Sequence, residues 1–397
     1  MKISTVGLAA ILLSGCAPKL KTGLDVLAAN QFSALAGKRV GVVTNATGVD
    51  RNLEALPELI ARAPGVTLAA IFGPEHGIRG VVSAGHEVDD SRDELTGVPV
   101  YSLYGKVRRP TREMLDGTEA LLFDIQDIGV RAYTYISTLK EVLVAAGETG
   151  TEVWVLDRPV PINGSVVEGP MLEDGFHSFV GSHRIPLRHG LTVGEFARMV
   201  NEELELGVSL HVVAMQGYRR GSFQEDSGLQ WIKPSPNIPT VDTAIVYAGM
   251  VLVEGTNLSE GRGTPRPFHW TGAPWIDAAK LASELNTLHL PGCEFFPVQF
   301  TPAVSKYQDE ACFGVDVRIT DRKSYRSVLV AVALIQTANR LYPGEFEFRP
   351  ATFDRLAGTR NLREDIERGA SLAQIVGSWN QDLEAYLQRR KQFMLYD

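Results

Sequence analysis

The turn Gly73-Pro74-Glu75-His76-Gly77 puts a carboxyl group and an imidazole side by side. Gly73 and Gly77 free the backbone on either side, and Pro74 fixes its approach. A glutamate held in such a turn, beside an aromatic-rich segment, suits general-acid work: it protonates an oxygen as that oxygen leaves carbon. His76 then orients Glu75 or binds substrate. The plainer reading is a loop carboxylate that caps a helix N-terminus.

Three more segments concentrate polar groups. They are Asn45-Ala46-Thr47-Gly48, Asp124-Ile125-Gln126-Asp127-Ile128-Gly129, and Asp157-Arg158-Pro159 with Asn163-Gly164 close behind. The second runs into Arg131-Ala132-Tyr133-Thr134-Tyr135. Acid, amide and aromatic groups together suit a sugar, whose hydroxyls need directed partners and whose ring face packs on aromatics. The scaffold readings pair Asp124 or Asp127 with Arg131, and Asp157 with Arg158. Two later segments are also polar: Trp231–Thr240, with Ser235 and Asn237, and Glu254–Gly263, with Asn257, Ser259, Glu260 and Arg262. The second resembles an anion-binding loop, because glycines expose backbone N–H groups and Arg262 adds charge. No Gly-Lys-Ser/Thr closes it as a Walker loop.

Short apolar runs precede the first four of these clusters: Arg39–Thr44, Val66–Phe72, Glu119–Ile125 and Glu152–Leu156, with a fifth at Leu210–Ala214. Near-continuous apolar runs of this length read as strands buried on both faces. Helix candidates lie between them, at Leu53–Ala63, Arg112–Leu115, Leu139–Glu148 and Val193–Leu206, the last opened by a Thr192/Glu195 capping box. The alternation predicts a mostly parallel, doubly wound α/β sheet, in which ligands bind beyond the carboxyl ends of the strands. Four strands therefore deliver polar groups to one rim. After Pro236 the texture becomes that of a smaller α+β domain. It has helices expected near Thr243–Val253, Trp275–Leu288, Tyr325–Leu341 and Leu372–Arg389, and strands near Val298–Val304 and Cys312–Ile319. The expected domains are 23–236, doubly wound, and 237–397, a smaller auxiliary domain packed on the first.

Lys2, the apolar run Val6–Leu13 and Leu13-Ser14-Gly15-Cys16 look like a bacterial lipoprotein leader over residues 1–15, acylated at Cys16, with 16–22 as a tether. That implies an exported, periplasmic protein held to the outer membrane through Cys16. The oxidising compartment permits a Cys293–Cys312 disulfide, although two separate thiols are the favoured reading. A net charge of −8 and the lack of a basic stretch exclude a nucleic-acid partner. Gly-x-Ser-x-Gly, His-Glu-x-x-His and a Gly-x-Gly-x-x-Gly after the first strand are all missing, against a serine hydrolase, a zincin and a dinucleotide enzyme.

The blocks VGVVTNATGVDR, FGPEHGIRG, TGVPVYSLYG, FDIQDIGVRAYTYISTL, VLDRPVPINGSVVEGP, IPLRHGLTVGEFA, PSPNIPTVDTA, EGTNLSEGRGTPRPF and GAPW run from about Val40 to Trp275. Together they resemble the exo-β-N-acetylmuramidases of the NamZ type, peptidoglycan-recycling glycosidases. Val160 and Ala46 depart from the family pattern without touching a proposed catalytic group. The resemblance implies a Rossmann-like domain with an auxiliary domain and an active-site cleft between them, no cofactor and no metal. It also implies release of terminal β-linked N-acetylmuramic acid from a peptidoglycan-derived muropeptide or disaccharide, with Glu75 as the catalytic glutamate.

A glycosidase needs an acid for the leaving oxygen and a second group to activate water or attack the sugar. Asp124, Asp127, Glu168 and Glu260 are candidates for that second role; the substrate's own 2-acetamido group is the alternative nucleophile. Arg262 is the first choice to hold the lactyl carboxylate, with Arg158 or Arg79 in reserve. The remaining binding candidates are Asn45, Gln126, Tyr133, Tyr135, Asp157, Asn163, His189, Ser235, Asn237, Glu254, Asn257 and Ser259. Two rivals stand beside this reading: a lipid-anchored sugar-binding protein without turnover, and a metal-dependent hydrolase using His76, His86 and the strand-end aspartates.

Overall fold

A computed structural model describes residues 20–79 and 90–397. The leader, Cys16 and His86 lie outside the described residues. The first half of the chain lays down β1 (Arg39–Thr44), β2 (Thr67–Gly73), β3 (Ser91–Arg92), β4 (Pro99–Ser102), β5 (Ala120–Asp124) and β6 (Glu152–Leu156). A hairpin of β7 (Glu168–Met171) and β8 (Pro186–Arg188) follows, then β9 (Leu210–Val213). Seven of these strands form one sheet in the order β3-β4-β2-β1-β5-β6-β9, parallel except where β3 meets β4. This is the doubly wound α/β sheet expected.

Both faces of the sheet are covered, which is why its strands read as continuous apolar runs. Val40, Val42, Ala120 and Leu122 point to one side and pack under α1 (Gly23–Ala29) and α2 (Leu56–Arg62). Val43, Leu121, Phe123 and Val153 point to the other, toward α3 (Tyr135–Thr149) and α4 (Val193–Glu203). Strand side chains alternate between faces, so a one-residue slip would exchange the two cores. Thr192 caps α4 as expected: its side chain accepts from Glu195 N–H while the Glu195 carboxylate accepts from Thr192 N–H.

The chain then forms α5 (Gln224–Ser227), α6 (Val241–Met250), β10 (Trp270–Ala273), α7 (Ala278–Asn286), β11 (Cys293–Phe300), β12 (Cys312–Ile319) and α8 (Ser327–Leu341). It closes with α9 (Pro350–Ala357), α10 (Asn361–Glu367), α11 (Leu372–Gly377) and α12 (Asn380–Arg390). The strands β10-β12-β11 make a small antiparallel sheet. One continuous apolar core joins this half to the large sheet, running from Val43 and Phe123 through Val246 and Leu334 to Phe353. No helix among the described residues is long and apolar enough to cross a membrane.

Several local expectations are corrected. Residues 20–22 of the expected 16–22 tether belong to the fold: Leu20 is buried, Lys21 exchanges backbone hydrogen bonds with Gln216, and Thr22 caps α1. Arg112–Leu115 is a run of turns, too short for a helix before Gly117 takes a left-handed φ of 68°. The helix expected over Leu372–Arg389 breaks after Gly377 into α11 and α12. Strand β11 starts at Cys293 rather than Val298, because it pairs with β12 along its whole length. Cys293 faces Ile319 and Cys312 faces Phe300, at opposite ends of that pairing. At roughly 3.3 Å per residue the two thiols lie about 20 Å apart, far beyond disulfide reach, and both are free.

Candidate active site

Strand β2 ends at Gly73 and releases the chain into the Glu75 turn, closed by Gly77 N–H donating to Pro74 O at 3.0 Å. His76 and Gly77 both sit in the left-handed region, at φ 72° and 71°. Glycine adopts that conformation freely, whereas a histidine there is strained and must be held by its surroundings; His76 is buried at 4% exposure. The turn presents Glu75 to a cleft, where its Oε2 accepts from Thr134 Oγ1 at 2.7 Å. The Tyr104 phenol is also hydrogen-bonded to Glu75, and burial beside that carboxylate pushes the Tyr104 pKa up to about 12. Tyr104 is placed by β4, which pairs with the end of β2 and sends Leu103 N–H back to Gly73 O. Thr134 immediately precedes α3. Two elements thus fix the carboxyl group from two directions.

The cleft has a volume of about 780 Å³. Its floor is aromatic: Tyr133 packs edge-on against Tyr135 at 5.0 Å and Tyr247 at 5.7 Å, and Tyr247 against Phe268 at 4.8 Å. The Tyr135 hydroxyl donates to Pro234 O and so ties the floor to the segment carrying Ser235 and Asn237, which line the cleft. Facing Glu75 is a charged wall. Arg262 pairs with Glu254 at 2.7 Å and with Glu260 at 3.3 Å, while Lys306 pairs with Glu260 at 3.1 Å. Ser305 Oγ donates to Glu260 Oε1. Burial raises the Glu254 pKa, an effect that Arg262 opposes.

The glycines of the 254–263 loop serve close packing rather than anion binding. A Cβ on Gly261 would lie 2.4 Å from Trp270 O, and one on Gly263 would lie 2.6 Å from Val304 N. That close approach brings the Val304–Lys306 segment to the cleft.

Several expected site residues turn out to be scaffold. Asp124 is fully buried and holds Arg158 through both oxygens, at 2.5 and 2.9 Å; Arg158 also donates to Val49 O. Neither lines the cleft, which corrects the catalytic expectation for Asp124. Asp157 accepts from Thr192 Oγ1, Gly194 N–H, Arg158 N–H and Tyr396 O–H, an anchor for α4 and the C-terminus rather than a sugar ligand. Arg131 pairs with no aspartate; it donates to the carbonyls of Pro170, Ile185, Leu356 and Ala357. Glu168 is buried against Arg188 at 2.7 Å and accepts from Val328 N–H, so it is withdrawn as a second catalytic group.

His189 is buried, its Nδ1 accepting from Leu191 N–H, and burial drives its pKa down to about 3. Gln126 donates to Asp127 O and Pro159 O. Asn45 and Asn163 shape their own turns by accepting from Thr47 N–H and Ser165 N–H. Asn257 braces the 345–347 backbone, and Ser259 Oγ accepts from Gly261 N–H. Arg79 lies on a separate pocket, 3.9 Å from Asp93. Brought together on the cleft are Glu75, His76, Tyr133, Ser235, Asn237, Glu254, Glu260 and Arg262. Among the described residues no three His, Cys, Asp or Glu side chains converge into a metal-binding cluster.

Asp127 lies behind the floor. Its Oδ1 accepts from Gly129 N–H at 2.7 Å, while Oδ2 is buried without a partner. Burial raises its pKa from 3.8 to about 7. A carboxyl with a raised folded pKa favours the protonated fold. Its contribution is therefore complete at low pH, falls as pH rises from about 4 through about 7, and levels off above. Asp127→Asn, which keeps the acceptor for Gly129, is expected to flatten the change in melting temperature between about pH 5 and about pH 8. An unchanged pH profile would remove Asp127 from the account of stability.

Tyr104, Thr134, Lys306 and Arg349 line the cleft but were not among the expected site residues. Thr134 sat inside the aromatic segment and Tyr104 inside TGVPVYSLYG, so neighbouring motifs could have signalled both. Lys306 and Arg349 lie in stretches without a motif.

Models of the two halves of one family match the chain: "Exo-beta-N-acetylmuramidase NamZ, N-terminal" over residues 40–242, and the C-terminal counterpart over 245–396. The chain is 45% identical over 380 residues to the peptidoglycan beta-N-acetylmuramidase NamZ of Bacillus subtilis (strain 168), covering 96% of this chain and 92% of that protein. Two solved DUF1343-family proteins of Bacteroides fragilis share the architecture. One has a TM-score of 0.89 at 40% identity, covering 96% of this chain and 99% of that one. The other has a TM-score of 0.78 at 29% identity, covering 95% and 99%.

Proposed function

The chain belongs to the NamZ family of exo-β-N-acetylmuramidases, and from that premise we propose that it removes terminal β-linked N-acetylmuramic acid from the non-reducing end of peptidoglycan fragments such as MurNAc–GlcNAc. The observation that carries the reading is Glu75, held by Thr134 and Tyr104 in a cleft that also holds Glu254, Glu260 and Arg262. In this mechanism Glu75 gives its proton to the glycosidic oxygen as the C1–O bond breaks. Positive charge develops on the sugar ring over the aromatic floor. Water then bonds to C1 and its proton restores Glu75.

Of the four candidates for the second role, Glu260 is the one that lines the cleft. Arg262 and Lys306 hold it in place. A carboxylate so restrained suits orienting the attacking water or the 2-acetamido group rather than attacking C1 itself.

The leader ending in Cys16 supports a periplasmic lipoprotein at the outer membrane, where cell-wall fragments are met; finding the protein in the soluble fraction of lysed cells would oppose that. The activity is tested by polarity. MurNAc–GlcNAc is expected to be cleaved to two monosaccharides, seen by mass, and GlcNAc–MurNAc to stay intact. Equal cleavage of both would contradict an exo-muramidase.

A further inference from the structure

We infer that Arg349 is the residue that reads the lactyl carboxylate of N-acetylmuramic acid and so separates it from N-acetylglucosamine, an inference that rests on the muramidase reading of the cleft. An anion on the sugar needs a cation that is not already neutralised. Among the described residues, three side chains cationic at neutral pH line the cleft: Arg262, Lys306 and Arg349. Arg262 is committed to Glu254 and Glu260. Lys306 pairs with Glu260 at 3.1 Å and donates to Val253 O and Leu258 O. Two carboxylates thus balance two cations, and the charge left on this wall is that of Arg349. No carboxylate among the described residues forms an ion pair with it, whereas Arg79 and Arg158, the other cations considered, face Asp93 and Asp124 away from this cleft.

The backbone of Arg349 is fixed while its side chain is exposed. Its N–H donates to Gly255 O at 2.7 Å, and its carbonyl accepts from Thr352 and Phe353 N–H, both at 2.9 Å, at the start of α9. Thr352, three residues on, also lines the cleft. The charge of Arg349 is felt inside, where it opposes protonation of Lys306. Arginine's planar fork matches a carboxylate with two parallel N–H bonds. The scissile oxygen on C1 and the lactyl group on O3 belong to one ring, so acid and reader must share one cavity. Glu75 and Arg349 do.

The test compares wild type and Arg349→Gln on MurNAc–GlcNAc and on the same disaccharide with its lactyl carboxylate converted to the methylamide. For the natural disaccharide, Arg349→Gln is expected to raise KM by about tenfold to a hundredfold with kcat nearly unchanged, as for a lost charge-assisted hydrogen bond. For the methylamide, wild type and variant should share the same raised KM, and Arg349→Lys should fall between for the acid substrate. An equal KM shift on both substrates, or none on either, would overturn the role of Arg349 while leaving the muramidase reading standing. Failure of the wild-type protein to cleave MurNAc–GlcNAc would take down both.

Discussion

Glu75→Gln is expected to lower kcat on MurNAc–GlcNAc by about 10²–10⁴-fold, with KM changed little and the melting temperature unchanged. Glutamine keeps the size of the side chain and can still accept from Thr134 Oγ1, so the turn and its contacts persist. What it lacks is a proton to give. A sugar hydroxyl is a poor leaving group as an alkoxide, and in the proposed mechanism the wild-type carboxyl supplies protonation at the moment of bond breaking. The loss should therefore depend on the leaving group. An aryl N-acetylmuraminide that releases an acidic phenol needs little protonation and should lose far less than the disaccharide. An equal loss on the two substrates would mean that Glu75 does other work than proton donation.

Asp124→Ala is expected to cost about 3–5 kcal/mol of folding stability, read from urea unfolding. Asp124 accepts both hydrogen bonds of Arg158 where the ends of β5 and β6 meet, and neither side chain is more than 6% exposed. Removing the carboxylate leaves a guanidinium in the interior with Val49 O as its remaining partner. An uncompensated buried charge is far more costly than the pair is stabilising. The folded fraction should keep its kcat, because the pair stands away from the cleft. A stable variant without activity would return Asp124 to the catalytic machinery.

These two aspartate and glutamate positions also show where sequence was legible. The bounds of β1 and β6 follow from short apolar runs, because burial on both faces imposes an unbroken pattern. Strand β4 escaped notice because it is four residues long and opens with Pro99, and with it went the placement of Tyr104. Glu75 stood out because a glycine-bounded turn at a strand end is a local feature. Asp124 and Asp157 shared the strand-end position but do not line the cleft. A carboxylate there looks the same in sequence whether it meets a cavity or a buried partner. The partners that decide are Arg158, 34 residues on from Asp124, and Tyr396, 239 residues on from Asp157. Glu260 and Arg262 announced themselves through a loop rich in glycine, although the glycines answer to Trp270 and Val304. Lys306 and Arg349 reach the cleft only through tertiary packing, and nothing around them in the chain marks them.

In the proposed reaction this cleft breaks the C1–O bond of a terminal N-acetylmuramic acid with Glu75 as proton donor. Its most direct test is hydrolysis of MurNAc–GlcNAc in ¹⁸O-labelled water by the wild-type protein and by Glu75→Gln, with both sugars weighed promptly by mass spectrometry. One ¹⁸O is expected on released N-acetylmuramic acid and none on N-acetylglucosamine, with near-complete loss of both products in the variant. Binding that raises the melting temperature without releasing either sugar, or release that persists undiminished in Glu75→Gln, would contradict it.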